Sequence, residues 1–213
     1  MRIIGIDESG KGDFFGPLVI AALVADSEQE EHLRRLGVRD SKTMSPGRIM
    51  SIADTLQKEY PHSIVVIGPE KYNQLYRKIK NLNKLLGWGH ARAIENVLTE
   101  TTADRAISDK FADTRVIESS LMERSRGIEL EQLVRGESIV QVAAASILAR
   151  ATFVRQLDRL SDKYGVKLHK GAAPAVDEAG RAIVRKYGQA VLEQVAKVHF
   201  KNYRRALSET MSM

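Results

Sequence analysis

Cysteine is missing from all 213 residues, and with it go a disulfide framework, a thiolate-ligated zinc site and a cysteine nucleophile. Any chemistry has to come from oxygen and nitrogen. No window approaches the roughly 18 uninterrupted apolar residues that a membrane span needs. The short apolar opening, Met1-Arg2-Ile3-Ile4-Gly5-Ile6, is broken at once by Asp7 and Glu8, so it does not read as the apolar region of a signal peptide. A cytoplasmic protein without membrane contact is expected. Repeats, low-complexity segments and long linkers are lacking too. At this length the chain can bury about 70% of its unfolded surface around one core. A single domain over residues 1–213 is the simpler reading.

What the sequence does have is positive charge, unevenly placed. Lys and Arg number 33 against 27 Asp and Glu, a net charge of +6. From Lys163 to the end there are ten basic residues and four acidic ones, so the whole excess sits in the last quarter of the chain. Such a segment suits a polyanionic backbone and equally suits a solvated face.

Two β-branched runs, Arg2 to Asp7 and Leu18 to Val24, flank a glycine-rich stretch from Ser9 to Pro17 and read as strand, turn, strand. Helical patterns cover Glu28 to Leu36 and Ile49 to Tyr60, the second announced by Ser45-Pro46. A strand from Ser63 to Ile67 precedes a helix opened by Pro69 and running to about Ile79, then another over Leu82 to Thr99. Short strands are expected at Arg105 to Asp109 and Ile128 to Val134. The long helix from Ser138 to Leu160 is rich in small residues and apolar around most of its circumference, which predicts burial against a sheet. Beyond Val176 two or three helices are expected, interrupted at Gly180 and Gly188. The pattern describes an α/β fold, a mixed five-stranded sheet flanked by helices with a helical C-terminal part over about 163–213.

Gly5-Ile6-Asp7-Glu8-Ser9-Gly10-Lys11 fits seven positions of the phosphate-loop pattern GxxxxGK[ST] and fails at the eighth, where Gly12 stands in place of the metal-binding hydroxyl. Two carboxylates would also occupy positions where backbone N–H groups should meet phosphate. A nucleotide-triphosphate loop is therefore rejected. What remains is a strand ending in paired carboxylates. Hard divalent cations give such a pair a reason to exist, because they prefer oxygen ligands; a turn cap at Asp7 with Glu8 in water would account for it equally. A second station repeats the arrangement, with Asp109 at a strand end and Asp113 four residues later. Four carboxylates so placed can hold two metals about 4 Å apart, the device that cleaves phosphodiesters by in-line attack. Asp109 and Asp113 also fit ordinary loop acids.

The stretch from Gly5 through Asp13-Phe14-Phe15-Gly16-Pro17-Leu18-Val19 resembles the opening motif of the type 2 ribonucleases H, and within them ribonuclease HIII. Further likenesses follow in order: Asp40-Ser41-Lys42, Asn81 to His90, Asp109-Lys110-Phe111, Ala143 to Arg150, Leu168-His169-Lys170-Gly171-Ala172, and Ala196 to Lys201. The resemblance implies an RNase H-like fold and an endoribonuclease that hydrolyses the RNA strand of RNA/DNA hybrids, leaving 3′-hydroxyl and 5′-phosphate ends. It implies Asp7, Glu8, Asp109 and Asp113 as catalytic, metal-binding acids. Asp7 and Asp109 would bridge or flank two Mg²⁺ or Mn²⁺ ions while Glu8 and Asp113 complete the shells. Asp113 departs by one methylene from the Glu that ribonuclease HIII resembles having there. In ribonuclease HII the fourth acid lies eight positions after the helix serine, where this chain has Val154; Asp158, one turn on, is the reserve candidate.

The resemblance further implies substrate contacts from Gly10, Lys11, Gly12, Ser41, Lys42 and Lys170. Glycine lets a backbone approach a 2′-hydroxyl, and lysines suit phosphates. Ser41 fits a contact to the same backbone or a turn cap. His90, His169 and His199 are expected to be structural or substrate-facing. Ribonuclease HIII proteins resemble chains with an N-terminal substrate-binding module, which is expected to be absent here: either hybrid binding rests on this domain alone, with the basic C-terminal segment as the substitute, or the chain has been shortened. A monomer is expected. Cleavage at single embedded ribonucleotides, a DNA-acting nuclease or integrase of related fold, and a non-enzymatic hybrid binder stay open as alternatives.

Overall fold

The computed structural model describes residues 1–39 and 41–208. Five strands form one mixed sheet: β1 (Arg2–Ser9), β2 (Leu18–Asp26), β3 (His62–Ile67), β4 (Arg105–Asp109) and β5 (Glu129–Leu133), in the order β3-β2-β1-β4-β5. β1 pairs antiparallel with β2 and parallel with β4, and β4 runs parallel to β5. β2 is buried along both faces from Leu18 to Ala25, which is why it reads as a continuous apolar run instead of an alternating one. The helices are α1 (Ser27–Arg35), α2 (Pro46–Glu59), α3 (Pro69–Ile79), α4 (Leu82–Val97), α5 (Arg115–Glu118), α6 (Val140–Tyr164), α7 (Pro174–Tyr187), α8 (Gln189–Val195) and α9 (Lys201–Ser208). No described helix is long and apolar enough to cross a membrane.

Local chemistry explains several boundaries. Asp26 closes a capping box with Gln29 and starts α1. Proline opens α2, α3 and α7, where its missing N–H costs nothing. Gly188 interrupts the C-terminal helices as its sequence position suggests, but Gly180 does not; α7 runs straight through it. A Cβ on Gly180 would lie 3.0 Å from that of Ala206, so this glycine serves the close approach of α9 to α7.

By internal packing the chain divides into two compact units. One comprises Met1–Ser9, Val19–Val65 and Asn81–Ala151; the other comprises Gly10–Leu18, Val66–Lys80 and the chain from Thr152 onward. In the first, α6 lies directly on β1. A Cβ added to Gly5 would sit 2.0 Å from the carbonyl carbon of Gln141 and 2.3 Å from the nitrogen of Val142. The small residues Ala143, Ala144 and Ala145 are all but fully buried at this contact-bearing end of the helix.

In the second unit the loop after β1 is fastened to the segment before α9. Phe15 and Ala196 form an antiparallel bridge, Gly16 donates its N–H to the carbonyl of Val195 (2.9 Å), and Lys197 donates its own to Phe14 (2.8 Å). The Lys197 side chain is fully buried, and its ammonium donates to the carbonyls of Asp13 and Gly16, both at 2.8 Å. Burial pulls this amine down to about 7, with the Asp13 carboxylate pulling the other way. Lys197 is therefore not part of the basic surface that a count of charges suggests.

Replacing Gly5 by alanine is expected to destabilise the protein by about 3 kcal/mol or more, because backbone on both sides blocks relaxation; a urea midpoint within error of the parent's contradicts this. Lys197 leads to a pH dependence. Below about 7 both folded and unfolded chains carry its proton, whereas between about 7 and the ordinary 10.5 the unfolded chain binds more protons, so stability contributed at this site rises with pH. The urea midpoint of the parent, relative to Lys197→Met, should climb between pH 7 and pH 9.5. A difference independent of pH in that window contradicts the account.

Candidate active site

The parallel pairing of β1 with β4 builds the site. Ile6 lies beside Ser108, so Asp7 and Asp109, one residue further along each strand, emerge at the same end of the sheet and on the same face. Glu8 follows Asp7 at the end of the same strand. Asp7 accepts the backbone N–H of Glu8 (2.8 Å) and a hydrogen bond from Ser146 on α6. Burial pushes the Asp7 carboxyl up to about 7, and the neighbouring charges of Glu8 and, more weakly, Asp109 push the same way; Ser146 and the Glu8 amide offset part of this. Asp109 accepts the backbone N–H of Gly136 (2.9 Å), at a position where a Cβ would lie 2.9 Å from the Asp109 backbone. Only glycine brings the amide that close.

Glu8 is held from the other side. The fully buried His90 of α4 donates from Nε2 to the Glu8 carboxylate at 3.1 Å, and the His90 ring packs against Phe111 with centroids 4.8 Å apart. His90 thus orients a carboxylate. Ser41 is also buried, and its hydroxyl lies 2.9 Å from that of Ser146. Since Ser146 gives its proton to Asp7, Ser41 donates to Ser146, a two-step relay that ends on the acid. Ser41 is therefore placed behind Asp7, with its hydroxyl engaged inside the protein. Asp40 and the side chain of Lys42 lie outside the described residues.

Asp113 stands apart. It is half exposed and clamped by Arg115, whose Nε and terminal nitrogen donate to its two oxygens at 3.0 and 2.7 Å. These bonds hold its carboxyl down at about 2. The carboxylates whose charges act on Asp7 are Glu8 and Asp109. The reserve candidate Asp158 is exposed on α6, where Val154 offers no ligand.

The glycines of the loop differ in their reasons. Gly10 is buried, has φ +89°, and a Cβ there would strike the carbonyl of Pro17 at 2.1 Å, so the turn itself demands it. Gly12 is exposed with open space around it, and nothing in the fold asks for glycine. Lys11 is half-buried and Lys170 exposed. His169 is half-buried, and His199 stacks on Tyr76 with centroids 4.4 Å apart.

No group of three or more His, Asp or Glu among the described residues is gathered tightly enough to enclose a metal ion as it stands. The donor set nevertheless fits a hard divalent cation in kind. It is all oxygen, and burial together with the neighbouring charges of Glu8 and Asp109 disfavours the ionised form of Asp7, a penalty that a bound cation would relieve. The sequence marked Asp7, Glu8 and Asp109 directly. It missed the supporting roles of Ser146, Gly136 and His90, although Ser146 and His90 stand inside the quoted motifs.

The family model for Ribonuclease HII matches residues 4–203. Ribonuclease HIII of Protochlamydia amoebophila is 44% identical over 198 residues, covering 93% of this chain and 66% of that protein. Ribonuclease HIII of Chlamydia abortus is 41% identical over 203 residues, covering 94% and 68%. Among solved structures, Bst-RNase HIII in complex with Mn²⁺ superimposes with a TM-score of 0.93 at 34% identity, covering all of this chain and 71% of that one. The chain spans about two thirds of the length of the curated relatives it matches. The mixed five-stranded sheet with its flanking helices is the RNase H-like fold of these proteins. By this family match and these relatives, the chain belongs to the ribonuclease HII family and groups within it with ribonuclease HIII.

Proposed function

We propose that the chain is an endoribonuclease that hydrolyses the RNA strand of RNA/DNA hybrids, acting as a monomer and leaving 3′-hydroxyl and 5′-phosphate ends. The observation that carries this reading is the register of β1 and β4, which delivers Asp7 and Asp109 side by side with Glu8 adjoining them. These three, with Asp113 as the fourth, are the residues to hold two divalent cations, Mg²⁺ or Mn²⁺. Such a pair, when bound, supplies an activated water and stabilisation of the leaving 3′-oxygen.

The chain's own groups do the rest. Ser146 and the Glu8 amide aim Asp7; His90 aims Glu8; the Gly136 amide aims Asp109. Asp113, now clamped by Arg115, would have to give up that ion pair to serve as the fourth acid. Gly12, which the fold leaves free of neighbours, gives the hybrid access to backbone groups beside the acids in sequence, where a 2′-hydroxyl distinguishes RNA from DNA. Lys11, Lys42 and Lys170 meet phosphates. Of the C-terminal cations, Lys163, Lys167, Lys186, Lys201 and Arg204 are exposed and suit a salt-dependent grip on the DNA strand, whereas Arg181 and Arg185 are paired with Glu178.

The test is a cleavage assay with Mg²⁺ on end-labelled RNA/DNA hybrid, all-DNA duplex and a duplex with one embedded ribonucleotide. The hybrid should be cut in preference to the other two, and Asp7→Asn should cut it about a thousandfold more slowly, as expected for removal of a ligand worth several kcal/mol in the transition state. An intact hybrid, or equal cutting by the variant, overturns the proposal. Preferred cutting at the single ribonucleotide would transfer the assignment to ribonuclease HII-like specificity, and cutting of all-DNA duplex to a DNA nuclease of related fold.

A further inference from the structure

Two lysines of the proposed hybrid grip, Lys11 and Lys170, are 159 positions apart in sequence, yet the loops that carry them are joined by a specific contact. The Asp13 carboxylate accepts the backbone N–H of Gly171 at 2.6 Å, and the N–H of the next residue, Phe14, donates to the carbonyl of Gly171 at 3.0 Å. Both backbone groups of Gly171 are thus taken by the loop that follows Lys11 and Gly12. Gly171 has φ +80°, a conformation that disfavours any side chain, and a Cβ there would meet nothing within 4 Å. Backbone conformation, with no steric neighbour involved, is what calls for glycine.

The same loop is fixed on its far side. Asn202 of α9, itself buried, donates to the carbonyl of Ala172 at 3.1 Å and to Asp177 at 2.6 Å. Beneath Asp13, the Lys197 ammonium holds the carbonyls of Asp13 and Gly16. An acidic side chain in a loop meant for phosphates is otherwise unfavourable, since a carboxylate repels a polyanion. Here its charge is directed at a main-chain amide, where a carboxylate makes a stronger bond than an amide oxygen would.

We propose that Asp13 is a positioning residue that couples the Gly10-Lys11-Gly12 loop to the Lys170-Gly171 loop, so that both lysines meet the hybrid's phosphates as one preorganised edge. The inference rests on the reading of Lys11 and Lys170 as hybrid contacts. Releasing Gly171 leaves Lys170 charged and exposed but no longer held in register with Lys11, and orientation lost before binding is recovered at the cost of affinity.

The experiment measures KM and kcat on the RNA/DNA hybrid with Mg²⁺, and hybrid binding by anisotropy, for Asp13→Ala, Asp13→Asn, Lys170→Ala, Lys11→Ala and the pair Asp13→Ala with Lys170→Ala. Asp13→Ala should raise KM about tenfold, the scale of one charged hydrogen bond, with kcat within about twofold. Asp13→Asn keeps an acceptor oxygen, though a weaker one, and should fall between Asp13→Ala and the parent. The double variant should bind scarcely worse than Lys170→Ala alone, because both remove the same contact. If Lys170→Ala weakens binding while Asp13→Ala does not, or if the two losses multiply, the coupling is overturned and the hybrid reading stands. If neither Lys11→Ala nor Lys170→Ala weakens binding, the hybrid reading of these lysines fails and takes the inference with it. Should Asp13→Ala fail to fold, Asn202→Ala, which frees the same loop at Ala172, decides in its place: raised KM at unchanged kcat supports the coupling, and unchanged KM overturns it.

Discussion

Helix α6 meets strand β1 backbone to backbone at Gly5, closer than any side chain would permit, and the end of the sheet that carries Asp7 and Asp109 is organised around that approach. Two residues beyond Gly5 on the strand comes Asp7; about one and a half turns beyond Gln141 on the helix comes Ser146, and the hydroxyl of the one reaches the carboxylate of the other. Ser41, behind Ser146, completes the relay. Had α6 been held off by a methyl group, Ser146 would lose its reach, and Asp7 would face the charges of Glu8 and Asp109 with one donor fewer. The run of alanines along α6 belongs to the same constraint, since small residues are what let a helix lie this near a sheet.

The acids are each supported by a donor from a different element. Asp7 is served from α6, Glu8 from His90 on α4, and Asp109 from the amide of Gly136 in the turn before α6. Such donors matter because carboxylates crowded at neighbouring strand ends repel one another, and hydrogen bonds to the charged form offset part of that repulsion and fix where each carboxylate points. Asp113 lacks this support and is bound instead by Arg115, a cation two residues away. The two kinds of acid are distinct: three take donors from elsewhere in the fold, and one is held by an arginine two residues away.

How much of this could be read from the chain depended on whether the relevant contact is local. β4 was legible residue for residue because Arg105 to Asp109 is short, apolar in the middle and bounded by charge; α3 was legible because Pro69 marks its first turn. Asp7, Glu8 and Asp109 stood out because carboxylates ending apolar runs are chemically conspicuous. Four-residue α5 carried too little periodicity to register. Gly180 read as an interruption because glycine disfavours helix locally, while its reason lies in α9, some 26 residues away. The Ser41–Ser146 relay joins residues 105 apart, and Lys197 counted as surface charge although it ends on buried carbonyls. Periodicity reports which face is buried, not which hydroxyl or amine meets which oxygen across the fold.

The proposed function turns on the register of β1 with β4, seated under α6, which places Asp7 and Asp109 side by side with Glu8 adjoining, the three acids proposed to take up a divalent cation before any nucleic acid arrives. Titration of the chain with Mn²⁺, followed by the paramagnetic signal of the free ion in the absence of hybrid, addresses it most directly. The account predicts saturable binding that weakens at least about tenfold in Asp7→Asn and in Asp109→Asn, and that is unchanged in Asp158→Asn. Mn²⁺ binding that is indifferent to Asp7 and Asp109 would contradict it.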